Sequence, residues 1–152
     1  MVKENKMKIS ELMKGFEQVC KSKGLRITHQ RSEIFHELAK YPDHPTAENV
    51  FSRVRKRLKT ISLDTVYRTI ATFEEHGMIK RVQILDNSAR FDVNLSIHHH
   101  LICTRCNKIE DLYWPVFDKM KLPDSVNGWA KMNSRHVEIR SLCLDCKTKF
   151  KK

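Results

Sequence analysis

Four of the chain's five cysteines form two Cys-x-x-Cys pairs, Cys103 with Cys106 and Cys143 with Cys146. The turn inside such a pair points two thiolates at one ion, about 2.3 Å away for Zn²⁺, and two turns fill a tetrahedral shell. A closed four-sulfur shell leaves no position for water. The expected zinc is therefore structural, holding the C-terminal end of the chain against the strand that carries the first pair. A redox dithiol, or two unrelated pairs, would share the spacing and ranks below zinc. Cys20 lies on an apolar helical stripe and reads as a core residue.

Directly ahead of the first pair stand His98, His99 and His100, in "SIHHHLICTRC". Alternate side chains of an extended strand share a face, so His98 and His100 are expected together and His99 opposite. Asp92, six residues before His98, keeps the same parity, and Asp111 follows the knuckle on what would be a neighbouring strand. Imidazole with carboxylate suits Fe²⁺, Mn²⁺ or Zn²⁺ better than a thiolate shell does. A polar strand end is the plainer account of a triple histidine. It does not explain the carboxylates beside it.

These groups need a scaffold, and composition bounds what it is. The 152 residues allow one ordinary domain or two small ones, and two small ones would each need reinforcement such as a metal. Lys plus Arg number 29 against 18 Asp plus Glu, for a net charge of +11, which suits a polyanionic partner such as nucleic acid. No apolar run approaches the ~20 residues of a membrane span, and "MVKENKMKIS" lacks the apolar centre of a signal peptide. The expectation is a cytoplasmic protein with no membrane partner.

The N-terminal half has helical periodicity. In "KISELMKGFEQVCKSKGL" the residues Ile9, Leu12, Met13, Phe16, Val19 and Cys20 recur at helical spacing, with Ser10 expected as cap and Gly24 as stop. A second helix fits "THQRSEIFHELAKY", capped by Thr28, and a third fits "TAENVFSRVRKRL", capped by Thr46 with Ala47, Val50, Val54 and Leu58 inward. The fourth, "SLDTVYRTIATFEEHG", has Ser62 as cap, Gly77 as stop and Val66, Ile70 and Phe73 on one face. Asp64, Arg68 and Ala71 then centre on the opposite face, flanked by Thr65, Tyr67 and Thr72. Strand-like runs follow in "MIKRVQILDNSARFDV", around a turn at Asp86, Asn87 and Ser88. Three helices, a recognition-type helix and a hairpin make a winged helix-turn-helix, whose last helix enters the major groove and whose wing lies along phosphates. An ordinary solvated helix would present the same Tyr67 and Arg68.

From about Arg90 the runs "ARFDV", "HLIC", "KIEDLYW" and "HVEIRSLC" surround one helix near "PVFDKMKL", a small α+β domain. The expected division is 1–87 and 88–152, with the boundary near Asn87 to Arg90.

The marks "LRITHQRSEIF", "HPTAENVF", "ISLDTVYRTIATFEEHGMI", "RFD", "HHHLICTRC" and "CLDC" stand in this order along nearly the whole chain. In them the chain resembles the ferric-uptake-regulator family of metal-dependent repressors. The resemblance implies an α+β protein, a winged-helix DNA-binding domain followed by a dimerisation domain. It also implies a homodimer on a palindromic operator, with structural zinc on Cys103, Cys106, Cys143 and Cys146. It carries a regulatory Fe²⁺ or Mn²⁺ onto His44, Asp92, His98, His100 and Asp111. His44 has no assignment from spacing alone. By the same resemblance Thr65, Tyr67 and Arg68 would meet DNA, and Arg26 a phosphate or minor groove.

Asp92, where many iron-uptake regulators have Glu, together with Asp111 matches the family's peroxide-sensing branch. There Fe²⁺ in an N,O shell reacts with peroxide, and His44 and His98 would be the oxidised residues. Arg68 is common in iron-uptake regulators, where some peroxide sensors have Asn, so an iron-uptake or other divalent-metal-responsive repressor is the alternative. A further metal-site histidine of those regulators falls on Arg135, next to His136, and a guanidinium is no ligand at neutral pH. A metalloenzyme reading finds no HExxH and no carboxylate placed as general base. A zinc-ribbon adaptor would leave the triple histidine and the Tyr67/Arg68 helix unexplained. The expected protein is a regulator and not an enzyme.

Overall fold

The computed structural model describes residues 8–82, 88–129 and 131–149. Two compact units divide between Leu95 and Ser96. The division falls beyond the expected 87/88 boundary because the strand at residues 90–92 pairs backward and Phe91 is buried in the helical core.

The first unit holds helices α1 (Ile9–Ser22), α2 (His29–Lys40), α3 (Ala47–Val54) and α4 (Leu63–Glu75), then strands β1 (Lys80–Val82) and β2 (Arg90–Asp92). The caps of α2, α3 and α4 are those read from sequence. Thr28 accepts from Arg31 N at 3.2 Å, Thr46 from Asn49 N at 3.2 Å, and Ser62 from Thr65 N at 3.1 Å. Each satisfies an amide that the first helical turn leaves without a partner, worth ~1 kcal/mol. Ser10 does not cap α1. It lies inside the first turn, and the cap position falls to Lys8, which offers no side-chain bond. Helix α3 ends at Val54, earlier than its pattern suggested, although Leu58 still packs against the core.

Gly24 and Gly77 end α1 and α4 in the left-handed region, at φ 65° and 67°. That conformation lets Leu25 N reach Cys20 O and Met78 N reach Phe73 O, both at 2.8 Å, closing each helix on itself. The helices meet around Phe16, Phe35 and Phe73. Phe16 stacks on Phe35 at 4.7 Å between centroids, and Phe73 stands edge-on to both at 5.6 Å. Such pairs add ~0.5–1.5 kcal/mol each beyond the area they bury. Cys20 is fully buried in this core, as its stripe implied. Strands β1 and β2 pair antiparallel, with Lys80 opposite Asp92 and Val82 opposite Arg90. The expected turn residues Asp86 and Asn87 lie outside the described residues.

The second unit is built on a three-stranded sheet of β3 (His99–Cys103), β4 (Ile109–Leu112) and β5 (Glu138–Ser141), with β3 in the centre. Strand β4 pairs antiparallel to β3 and β5 parallel to it. Short helices α5 (Pro115–Asp118), α6 (Asp124–Trp129) and α7 (Leu144–Thr148) complete the unit. Only α5 was expected. Helices α6 and α7 are six and five residues long, too short for a periodic signal. Among the described residues no helix is long and apolar enough to cross a membrane.

Candidate metal centre

Parallel pairing sets Cys103 opposite Ser141, so the chain leaving β5 enters the second knuckle beside the first. The sulfurs of Cys103, Cys106, Cys143 and Cys146 all lie within 4.8 Å of one another. Cys106 Sγ and Cys143 Sγ are 3.7 Å apart. A tetrahedral Zn²⁺ with bonds of about 2.3 Å has edges of about 3.8 Å, so the cluster fits that ion. All four thiols are free of disulfides. Backbone amides of Cys106, Cys143 and Arg105 pull the Cys103 thiol down to about 6, and Cys143 N donates to its sulfur at 3.3 Å. Burial pushes the Cys146 thiol up. The backbone thus favours the thiolate at Cys103, whereas burial opposes it at Cys146, where a cation would offset the cost of losing the proton.

At the other end of β3, His100 stands opposite Asp111 of β4. His98, just before the strand, lies on the same side as His100. Their rings are 4.8 Å apart at 89°, with Nε2 facing Nε2 at 3.1 Å. His98 Nε2 is also 3.7 Å from Asp111 Oδ1. The Ser96 carbonyl, 2.9 Å from His98 Nδ1, can only accept, so the His98 proton sits on Nδ1 and its Nε2 carries the lone pair. The 3.1 Å separation is close to the ~3.0 Å edge of an octahedral shell with bonds of about 2.1 Å. Two buried imidazoles and a partly buried carboxylate thus form an N,N,O donor group suited to a divalent ion.

His99 points the other way, as the strand parity required. It is fully buried, accepting from Val137 N at Nδ1 (3.2 Å), so that Nε2 donates to Asp118 Oδ1 (3.1 Å). Both its nitrogens are committed to joining β3, α5 and the approach to β5.

In the first unit, His44 and Asp92 come together although 48 positions separate them in sequence. His44 Nε2 is 3.6 Å from Asp92 Oδ2, and both side chains are buried. Backbone brings them there, since Phe91 N donates to Pro45 O at 3.1 Å and sets the loop before α3 beside β2. His44 adopts φ 49°, a left-handed conformation uncommon outside glycine, which the cap at Thr46 and this bond hold in place. Asp92 Oδ1 accepts from Asn94 N at 2.7 Å, leaving Oδ2 toward the histidine. Strand pairing stops at Asp92 and resumes at His99, so no single unbroken strand carries both Asp92 and His98.

On α4, Val66, Ile70 and Phe73 are buried, while Asp64, Arg68 and Ala71 are exposed as expected. The Arg68 side chain is 82% exposed, with Asp64 4.0 Å away across one turn. Tyr67 is half-exposed and donates its hydroxyl to Glu48 of α3, and Thr65 bonds the Ser62 hydroxyl at 2.8 Å. Arg26 is exposed at the start of the loop before α2, where its carbonyl accepts from Arg31.

Sequence reasoning missed the part played by residues 135–137. Arg135 donates to the carbonyls of Phe117 and Met120 at 3.0 and 2.7 Å, and so ties the end of α5 to β5. His136 Nε2 lies 3.3 Å from His100 Nδ1. The parallel pairing of β3 and β5 places both, and no local spacing encodes it.

The comparisons agree with this architecture. The chain is 35% identical over 144 residues to the "Peroxide operon regulator" of Bacillus subtilis (strain 168), covering 94% of this chain and 98% of that one. It is 34% identical over 125 residues to the "Peroxide-responsive repressor PerR" of Staphylococcus epidermidis, covering 82% and 83%. The Helicobacter pylori ferric uptake regulator Fur, a structure described as revealing three functional metal binding sites, superposes with a TM-score of 0.78 at 22% identity, over 93% of this chain and 95% of that one. Residues 22–140 match the family described as "Ferric uptake regulator family", a span that takes in helices α2 to α4, strands β1 to β4 and the first cysteine pair. With winged helices followed by a small sheet carrying the histidines and cysteines, the chain belongs to the ferric uptake regulator family.

Proposed function

We propose that the chain is a homodimeric, metal-dependent DNA-binding repressor that senses peroxide. Zinc on Cys103, Cys106, Cys143 and Cys146 is its structural metal. An exchangeable Fe²⁺ or Mn²⁺ is held by His44, Asp92, His98, His100 and Asp111. The observation that carries this reading is the composition of the His98, His100 and Asp111 group, nitrogen and oxygen donors with no thiol among them. A thiolate set would select zinc and hold it, whereas N,O donors leave the ion exchangeable. The names of the Bacillus and Staphylococcus relatives support the peroxide branch.

Two of these ligands come from the helical unit and three from the sheet unit, so binding one ion favours whichever arrangement of the units brings both groups to it. If that arrangement spaces the two recognition helices of the dimer for two half-sites, metal and operator bind with positive coupling. Thr65, Tyr67 and Arg68 then face the major groove and Arg26 the backbone, with the +11 charge steering the encounter. Ferrous iron held by His44, Asp92, His98, His100 and Asp111 would supply the reducing electron for peroxide chemistry at a ligand ring; net, one ring C–H and one H₂O₂ would give oxo-histidine and water. The ring that gains oxygen is His44 or His98, and a modified ligand releases the operator.

The test is mass spectrometry with operator binding. Loaded with Fe²⁺ and exposed to peroxide, the protein should gain one oxygen on a peptide carrying His44 or His98 and lose its operator. Loaded with Mn²⁺, it should do neither. An Fe²⁺ form that gains no oxygen and keeps its operator is an iron-uptake-type or other metal-responsive repressor.

A further inference from the structure

A neutral imidazole binds a cation through the nitrogen without a proton, so its other nitrogen must have an acceptor to donate to. His98 meets this locally, through the Ser96 carbonyl. At His100 the neighbour on that side is another imidazole. Its Nδ1 faces the ring nitrogen of His136 at 3.3 Å, with the two rings 5.0 Å apart and inclined at 57°.

Backbone holds His136 there. The Val137 carbonyl accepts from His100 N at 3.1 Å, and Val137 N donates to His99 Nδ1 at 3.2 Å. On the other side Arg135 grips two carbonyls at the end of α5. The residue between these anchors is carried to the outer edge of His100, while its own side chain stays exposed to solvent.

We propose that His136 is the positioning residue of the regulatory ion: its Nε2 accepts the Nδ1 proton of His100, so that His100 Nε2 is bare and aimed at the point His98 Nε2 also faces. The proposal rests on the regulatory-site reading above. Without an ion the bonds can run from His136 Nε2 through His100 to His98 Nε2, each ring donating to the next, and ending at the Ser96 carbonyl. An ion bound by both facing nitrogens reverses the first of these bonds. The proton of His100 moves from Nε2 to Nδ1 and that of His136 from Nε2 to Nδ1, so the pair neither gains nor loses a proton. Solvent access to His136 gives the exchange a path.

The experiment uses the full-length protein with its cysteine site zinc-filled. Two-bond ¹H–¹⁵N spectra of labelled histidines, taken before and after Zn²⁺ is added as a diamagnetic probe of the second site, should show His100 as the Nδ1–H tautomer once loaded. Titration with Mn²⁺ should show His136→Ala binding about tenfold more weakly, in the range typical of lost outer-sphere partners. His136→Gln, whose amide oxygen can accept, should return to within about threefold of wild type, and His136→Lys, which can only donate, should not. A merely structural role would lower the melting temperature without this dependence on acceptor capacity. A loaded His100 that keeps its proton on Nε2, or an Ala variant that binds Mn²⁺ like a binding-competent wild type, overturns the role of His136 alone. Wild-type protein in which neither ion perturbs His98 or His100 overturns the regulatory site as well.

Discussion

Tyr67 of α4 donates its hydroxyl to the carboxylate of Glu48 on α3, so the last helix of the first unit is tied to the helix that follows the His44 loop. The bond holds the Glu48 carboxyl below its ordinary range and the Tyr67 phenol above its own. Tyr67 thus has a fixed ring direction, while Arg68, one position on, extends into solvent with only a distant Asp64. One side chain is pre-set and the other adaptable.

Arg68→Ala should therefore weaken specific operator binding by about 1–3 kcal/mol if it reads a base edge, with metal content and dimer mass unchanged. Fluorescence anisotropy on operator and random duplex measures it. Equal losses on both duplexes would make Arg68 a phosphate contact.

Cys143→Ser should release about one zinc per chain, because this ligand completes a shell whose binding energy is folding energy. Metal analysis with thermal melting checks it. The sheet unit should melt at least about 10 °C lower, since each kcal/mol shifts a small domain by about 4–8 °C. A variant that keeps its zinc and melting temperature would remove the cysteine assignment.

Asp92→Glu keeps the charge but moves the carboxylate outward by a methylene, away from the position Asn94 N and His44 define. Peroxide-driven oxygen uptake at His44 and His98 should fall more than Mn²⁺-dependent operator binding does. Peptide mass spectrometry and gel shift on the same samples give the two values, and equal losses would assign Asp92 to metal retention alone.

A pH effect follows from Arg57, which bonds Glu33 and Glu37 at 2.7 Å each. The bond from Arg57 holds the Glu33 carboxyl below its ordinary range. A depressed folded pKa contributes stability above the unfolded value, near 4.5, and loses it as pH falls through the lower folded value. The melting-temperature gap between wild type and Glu33→Gln should thus be widest above the ordinary value of 4.5 and shrink as pH falls below it. A gap independent of pH would show that Glu33 acts through packing.

What could be read in the chain beforehand was whatever local spacing encodes. The caps at Thr28, Thr46 and Ser62, the buried face of Val66, Ile70 and Phe73, the two knuckles and the opposite facing of His98 and His99 each depend on residues within a turn or a strand of one another. His44 was out of reach because its neighbour Asp92 is delivered by the Phe91–Pro45 bond, a contact across 46 positions. His136 was hidden for the same reason, its partner being set by a parallel strand pair. The interruption in strand pairing between Asp92 and His99 was likewise not visible in the alternation of the sequence.

The parallel pairing of β3 with β5 also has a kinetic side. Joining Leu101 to Ile139 closes a long stretch of chain before any ladder bond rewards it, whereas the four helices of the first unit form from near neighbours. Both tryptophans, Trp114 and Trp129, belong to the slower unit. On dilution from denaturant, far-ultraviolet ellipticity will be dominated by the helices and indole emission by the sheet unit alone. The two probes should separate in time, ellipticity leading, and supplying zinc during refolding should speed only the fluorescence phase.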